Sequence, residues 1–337
     1  MRRTELDICR LLGCLAVLVI HASSEVYHVL PLETLDFVIY NFICTAMRGG
    51  VPLFFMISGA LLLPRETMEP WRMLKTRTLR LLLLYCFWSA FYAALRSLTG
   101  VSSGLYEFAY AFFAGHYHLW FLPVMMLVYL YMPVVHAAIH GGGLDGRYLL
   151  CLFAFSGLLM NSLNLTVEPS PILFRIGLNF SLDYLPYLGY AVLGWWLAEK
   201  DWPKKTLWLA PLVFLLVTVA AARANRWYSG IQESADGWLF SYFSLPSFLQ
   251  AVSLFCFCLA LKGRSFRRAK LWHALSDATL GVYLIHPLLL NVFERFGLAV
   301  TRRAPISSLL LVCALLTPSS FALVLAARRI PILRRLM

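Results

Sequence analysis

Two side chains suited to chemistry, Arg10 and His21, lie in the first apolar stretch of the chain. If this stretch is helical, eleven residues at about 100° each return to within about 20° of the start, so both side chains share one face, roughly 16 Å apart. Asp7 falls on the same face, one turn before Arg10, and can pair with it. A guanidinium binds phosphate oxygens, and an imidazole moves protons near neutral pH or acts as a nucleophile. We therefore interpret this face as a reaction axis.

The composition excludes a soluble globular protein. The 337 residues are 60% hydrophobic and 14% charged, whereas soluble domains have about 25% charged residues. Apolar runs of about 20 residues recur along the chain, and about 20 helical residues span a bilayer. We predict an all-α, polytopic transmembrane bundle of about ten helices that forms one integral-membrane domain over 1–337.

The net charge of +12 is distributed unevenly. Lys and Arg residues concentrate in alternate loops, which is the positive-inside pattern of membrane proteins. The basic balance therefore indicates topology and contact with membrane lipids, with no nucleic-acid partner. It places both termini in the cytosol and leaves the inner face suited to phosphate ligands.

The expected helices follow the apolar runs and their turn signals. They cover about 8–28, 37–63, 79–98, 117–138, 147–163, 184–199, 207–223, 240–261, a segment from about 275, and 307–327.

The second predicted helix is interrupted near its middle by Arg48, two glycines and Pro52. Backbone groups left unpaired at such a break are tolerated in membranes only beside a cavity or a neighbouring helix. Arg48 is therefore either a pocket residue or a side chain that extends outward to the interface. Ser58 and Gly59, further along, are small enough to allow close helix contact.

Two other pairs of polar residues each have two possible roles, one structural and one functional. Arg77 and Arg80, one turn apart at a predicted cytosolic rim, are either positive-inside anchors or a clamp for phosphate. His116 and His118 have the spacing of metal ligands, but no third Cys, His or carboxylate follows at ligand spacing, so we predict no metal site.

Four motifs occur in order along the chain. They are the Arg10-x10-His21 pair, Val-Pro-Leu-Phe-Phe-Met-Ile-Ser-Gly at 51–59, His-Leu-Trp-Phe at 118–121, and Leu-Gly-Val-Tyr-Leu-Ile-His-Pro at 280–287. Together they resemble the membrane-bound acyltransferase family 3. The variants at 51–59 and 118–121 look closest to the subgroup that O-acetylates enterobacterial common antigen.

The resemblance implies an acyl-CoA-dependent O-acyltransferase of the bacterial inner membrane. Such a protein moves an acetyl group from cytosolic acetyl-CoA, a substrate and not a bound cofactor, to a hydroxyl of an extracytoplasmic or lipid-linked glycan. It also implies that His21 is the catalytic histidine with Arg10 as its partner, and that Arg77 and Arg80 join Arg10 at the CoA end. The separation of Arg10 from His21 is similar to the reach of an extended pantetheine arm.

The role of His21 within that activity has two forms. It is a general base for an acceptor hydroxyl, which we favour, or it takes the acyl group and hands it on. Asp7 and Glu25 are candidate orienting groups. The candidates for contacting the substrate or stabilising an oxyanion are Glu25, Arg48, Ser58, His118, Trp120 and Tyr129.

The alternative function is that of a transporter or flippase for a lipid-linked sugar. A broken second helix and intramembrane Arg and His residues would suit that class. Its substrate-bearing broken helices usually occur in corresponding pairs, and the two halves of this sequence show no internal repeat.

Overall fold

The computed structural model describes residues 2–100, 104–141, 145–154 and 185–337, and these contain helices and turns but no strand. Leu74–Thr78 forms a π-helical turn and Trp238–Phe240 a 3₁₀ turn. The α-helices are α1 (Thr4–Tyr27), α2 (Leu35–Met47), α3 (Gly50–Leu62), α4 (Pro70–Met73), α5 (Leu79–Leu98), α6 (Leu105–Ala114), α7 (Phe121–Gly141), α8 (Gly146–Phe153), α9 (Leu185–Ala198), α10 (Thr206–Ile231), α11 (Leu245–Leu259), α12 (Ala269–Arg295), α13 (Pro305–Ala327) and α14 (Pro331–Arg335).

The described part of the chain contains seven helical segments long and apolar enough to cross a membrane, which confirms the prediction of an all-helical, multi-pass protein. They are α1, α2 with α3, α4 with α5, α7, α10, α12 and α13. Two further predicted spans form the shorter apolar helices α9 and α11. The predicted span at 147–163 begins as α8, and its residues 155–163 lie outside the described residues. The cytosolic position of both termini stays a prediction.

The predicted break in the second helix separates α2 from α3. The Thr34 hydroxyl accepts a hydrogen bond from the Phe37 amide at 3.2 Å and caps the start of α2. Pro52 has no amide hydrogen, so the helix loses one backbone bond at the turn where α3 begins. The break therefore follows from the residue types that indicated it.

Helix α1 is the central helix of the bundle. It packs against α2, α3, α11, α12 and α13. Its length carries both Arg10 and His21, and their side chains are only partly buried although most of their neighbours in α1 are buried. The helix that contains the two candidate residues is thus held on several sides.

Helices α3 and α9 approach each other very closely at Gly59. A Cβ atom added at Gly59 would lie 1.7 Å from the Ala191 carbonyl oxygen, which no folded protein accommodates without moving the helices apart. Small residues at helix contacts allow this approach in membrane bundles. The predicted close contact at Gly59 is confirmed, and it anchors the helix that carries Ser58.

Candidate active site

Arg10 and His21 line the same cavity, enclosed by α1, α3, α7 and α12. This inner cavity has a volume of about 200 Å³ and a mostly apolar wall. Three of the residues predicted to contact the substrate or stabilise an oxyanion also line this cavity: Ser58, Trp120 and Tyr129. The helical spacing thus placed two residues on one face, and the packing of three other helices turned that face into a cavity.

One wall of the inner cavity carries hydroxyl groups. The Ser58 hydroxyl donates to the Phe54 carbonyl oxygen at 2.9 Å and lies 3.4 Å from the Tyr129 hydroxyl. The guanidinium of Arg77 lies over the Tyr129 ring, 5.6 Å from its centre. Trp120 stacks on another cavity residue, Tyr242, with ring centres 5.6 Å apart. The Tyr129 hydroxyl is therefore a hydrogen-bond donor within an otherwise apolar space, whereas the hydrogen of Ser58 is already donated to Phe54.

Arg10 is held in place by residues of its own helix and of α12. Its Nη1 donates to the Ser276 hydroxyl at 2.8 Å and lies 3.3 Å from Asp7 Oδ1. Asp7 is also paired with Arg2 at 2.8 Å, and Arg2 reaches Asp277 on α12 at 2.7 Å. The predicted pairing of Asp7 with Arg10 is present, and it belongs to a network that joins α1 to α12.

A second, larger cavity adjoins the inner one. We call it the vestibule; its volume is about 940 Å³, and Arg10, Thr279 and Leu280 line both spaces. Its wall carries six cationic side chains and one carboxylate, that of Asp277. The cations are Arg10, Lys75, Arg80, Arg328, Arg334 and Arg335. Among the described residues, Arg10 alone of these six has an ion-pair partner.

Arg77 and Arg80, which the sequence predicted as one phosphate clamp, lie beside different cavities. Arg80 lines the vestibule, whereas Arg77 lies over Tyr129 at the wall of the inner cavity. Arg334 and Arg335 reach the vestibule through the short helix α14, which is tied to α5 by a 2.9 Å hydrogen bond from the Trp88 indole to the Leu336 carbonyl oxygen. The sequence had indicated Arg334 and Arg335 only as part of the positive-inside charge pattern.

His21 has a histidine partner that sequence reasoning did not assign. Its Nδ1 lies 2.6 Å from Nε2 of His286 on α12, and the two rings are nearly parallel, with centres 4.8 Å apart. His286 is fully buried, and its Nδ1 lies 2.7 Å from the Tyr283 carbonyl oxygen. The signal was present in the sequence as His286-Pro287 within the fourth motif, with no indication of which helix it would face.

The comparison with known families decides what kind of protein carries this site. Residues 3–325 match the model of the acyltransferase 3 family, described as an acyltransferase domain. The chain belongs to the acyltransferase 3 family. No curated protein and no solved structure matches this acyltransferase. The family match indicates a membrane acyltransferase; assignment to the common-antigen subgroup stays a prediction.

His118 of the acyltransferase lies behind His21 and does not line the inner cavity. It is fully buried, its Nδ1 is 2.9 Å from Nδ1 of His116, and its Nε2 has no hydrogen-bond partner among the described residues. Burial lowers the pKa of His118 well below its usual value, and burial lowers that of His116 to about 4. Both rings are therefore neutral at pH 7 and form a packed wall behind the pair of His21 and His286.

Glu25 and Arg48 lie outside the lining of the inner cavity. Glu25 is exposed near the C-terminal end of α1. The Arg48 guanidinium lies 4.0 Å from the centre of the Phe240 ring, and its buried Nε has no hydrogen-bond partner within the described ranges. Burial raises the pKa of Tyr242, and the neighbouring Arg48 opposes that rise. Arg48 therefore lies one residue away from the cavity, behind Tyr242.

Proposed function

We propose that this acyltransferase moves an acetyl group from acetyl-CoA to a hydroxyl of a glycan or lipid-linked saccharide, with His21 as the general base. The observation that supports it is that Arg10 and His21 line one cavity, with a cationic vestibule next to Arg10. In this proposal the protein lies in a bacterial inner membrane with its vestibule toward the cytosol. The motif resemblance favours enterobacterial common antigen as the acceptor.

The vestibule suits the nucleotide end of the donor. CoA carries a pyrophosphate and a 3′-phosphate, and guanidinium groups bind phosphate oxygens through paired N–H donors. Arg10 and Arg80 occupy the vestibule wall together with Arg334, and apart from Arg10 these cations have no competing ion pair in the described chain. The apolar inner cavity suits the pantetheine arm, whose thioester then lies near His21. Arg77 would act from the Tyr129 side of that cavity.

The transfer step needs one base and one oxyanion donor. His21 accepts the hydroxyl proton while the acceptor oxygen forms a bond to the thioester carbonyl carbon. The carbon–sulfur bond then breaks, and the proton passes from His21 to the leaving thiolate, which yields the ester and CoA. The hydroxyl of Tyr129 and the indole of Trp120 are the donors on the cavity wall for the transient oxyanion, and the Ser58 hydroxyl could join them by releasing the Phe54 carbonyl oxygen.

The test is acetyl transfer by the purified protein in lipid nanodiscs. Radiolabelled acetyl-CoA is supplied with a lipid-linked saccharide extract, and label in the saccharide fraction is measured for wild type, His21→Ala and His140→Ala. His140 is exposed, away from both cavities, so its variant controls for loss of a histidine. We expect His21→Ala to lose roughly 10²–10⁴-fold in rate, the usual contribution of a general base, and the control to retain activity.

Two results would overturn the proposal. Full transfer by His21→Ala would remove the catalytic role of the imidazole. Donor-independent movement of a fluorescent lipid-linked saccharide across the bilayer, with no label transferred, would instead favour the flippase alternative.

A further inference from the structure

We propose that His286 is a positioning residue that sets the tautomer of His21 and leaves Nε2 of His21 as its basic atom. The inference rests on the proposed function of His21 as a general base. It is carried by the chain of contacts from His21 through His286 to the Tyr283 carbonyl oxygen.

The chain of contacts begins at Pro287. In a regular α-helix the Tyr283 carbonyl would accept a hydrogen bond from the amide of residue 287. Pro287 has no amide hydrogen, so this carbonyl lacks its helical donor. The His286 Nδ1 lies 2.7 Å from that same oxygen. Because a carbonyl oxygen only accepts, Nδ1 of His286 carries the hydrogen and donates it.

The next contact follows from the chemistry of a neutral imidazole, which has one N–H and one lone pair. With Nδ1 of His286 protonated, its Nε2 holds the lone pair and faces Nδ1 of His21 at 2.6 Å. Nδ1 of His21 must then carry the hydrogen of this bond. No carboxylate pairs with either ring in the described part of the chain, so a charged imidazole there would have no counter-ion.

This tautomer leaves Nε2 of His21 without a hydrogen. Its Nε2 holds a lone pair and forms no hydrogen bond with any described residue, on a side chain that lines the inner cavity. The opposite tautomer would leave an N–H there, which cannot accept the proton of a hydroxyl. When Nε2 takes that proton, the bond to His286 becomes charge-assisted and stronger, which stabilises the imidazolium.

The nearly parallel rings add an orientation constraint. A 7° angle between the ring planes and a 2.6 Å contact leave His21 little freedom to rotate while the hydrogen bond persists. His286 is fully buried on α12 and does not itself line the inner cavity. It acts through His21 and not on the substrate.

The kinetic test compares His286→Leu with His286→Gln and with a matched control, His136→Leu. Leucine removes the acceptor that faces His21, whereas the glutamine side chain restores an acceptor oxygen. His136 is likewise buried and bonded to a backbone carbonyl, that of Arg65, but it lies outside both cavities. All variants are compared at equal folded concentration, judged by size-exclusion profile and thermal melting.

We expect kcat of His286→Leu to fall roughly 10²-fold or more, because the wrong tautomer removes general-base catalysis. The KM for acetyl-CoA should stay within about twofold, since the vestibule is intact, and His286→Gln should recover at least about tenfold of the lost rate. A loss of folding alone would lower the yield of folded protein and the melting temperature, and it would leave kcat per folded molecule unchanged. Wild-type kcat in folded His286→Leu would overturn the inference.

A spectroscopic measurement tests the tautomer directly. Imidazole ¹⁵N shifts of histidine-labelled protein distinguish Nδ1–H from Nε2–H rings, and the His21 signals are assigned by their loss in His21→Ala. We expect Nδ1–H at His21 in the wild type and a shift toward Nε2–H in His286→Leu. Nε2–H at His21 in the wild type would overturn the inference. Activity of His21→Ala would refute the proposed function, whereas its inactivity beside an active His286→Leu would refute this inference alone.

Discussion

Substitution of the arginines of α14 offers the sharpest test of the vestibule as the binding site for acetyl-CoA. Arg334 and Arg335 line it from a part of the chain distant from Arg10 and Arg80, and neither has an ion-pair partner among the described residues. We predict that Arg334→Gln/Arg335→Gln raises the KM for acetyl-CoA and leaves kcat nearly unchanged. The reason is that these side chains would bind phosphates that do not change during the transfer step.

The size of the effect follows from their exposure. Both arginines are exposed, so each phosphate contact contributes about 0.5–1 kcal/mol and not the larger values of buried pairs. Losing two contacts of this kind costs about 1–2 kcal/mol, which is roughly a 5–30-fold rise in KM. The difference should shrink in about 1 M salt, where screening acts over about 3 Å.

The assay measures initial rates against acetyl-CoA and against S-acetyl-pantetheine, which lacks the nucleotide phosphates. The control is Arg302→Gln/Arg303→Gln, which removes the same charge from exposed residues outside the vestibule. The variant should differ from wild type with acetyl-CoA only, and the control with neither donor. An unchanged KM for acetyl-CoA, or an equal rise with the pantetheine donor, would refute the reasoning.

Three further predictions concern helix packing, the pH dependence of stability and the role of Arg10. Gly59→Ala should lower the melting temperature in detergent, by a cost of about 1–3 kcal/mol or more, because its methyl group would overlap the backbone of α9; Gly230→Ala, which meets no atom within 4 Å, should not. Stability should fall as pH drops from about 6.5 toward 4, because burial lowers the pKa of His116 to about 4 and the unfolded chain binds the extra proton first. Melting curves of His116→Phe should show a weaker pH dependence, and an unchanged slope would contradict this. Arg10→Lys keeps the charge but loses the planar fork, so we expect a reduced kcat/KM for acetyl-CoA; wild-type kinetics in that variant would count against a phosphate role for Arg10.

Much of the candidate site could be predicted because its first two residues lie on one helix. The rise and turn of an α-helix are local properties, so the spacing of Arg10 and His21 specifies a shared face before any packing is known. The break at Arg48 and the close contact at Gly59 were predictable in the same way, from residues whose backbone or size restricts what a helix can do. Composition alone indicated an all-helical membrane protein.

The tertiary structure decided which distant residues complete the site. His286 follows His21 by 265 positions, and only the packing of α12 against α1 brings the two rings together. The tertiary structure also places Arg77 over Tyr129 and Arg80 in the vestibule, and it brings Arg334 to the vestibule through α14. Sequence periodicity describes one helix at a time, whereas a cavity is a property of several helices in contact. The amino-acid sequence by itself therefore determined that Arg10 and His21 share one face of α1, and the fold determined which other residues surround that face.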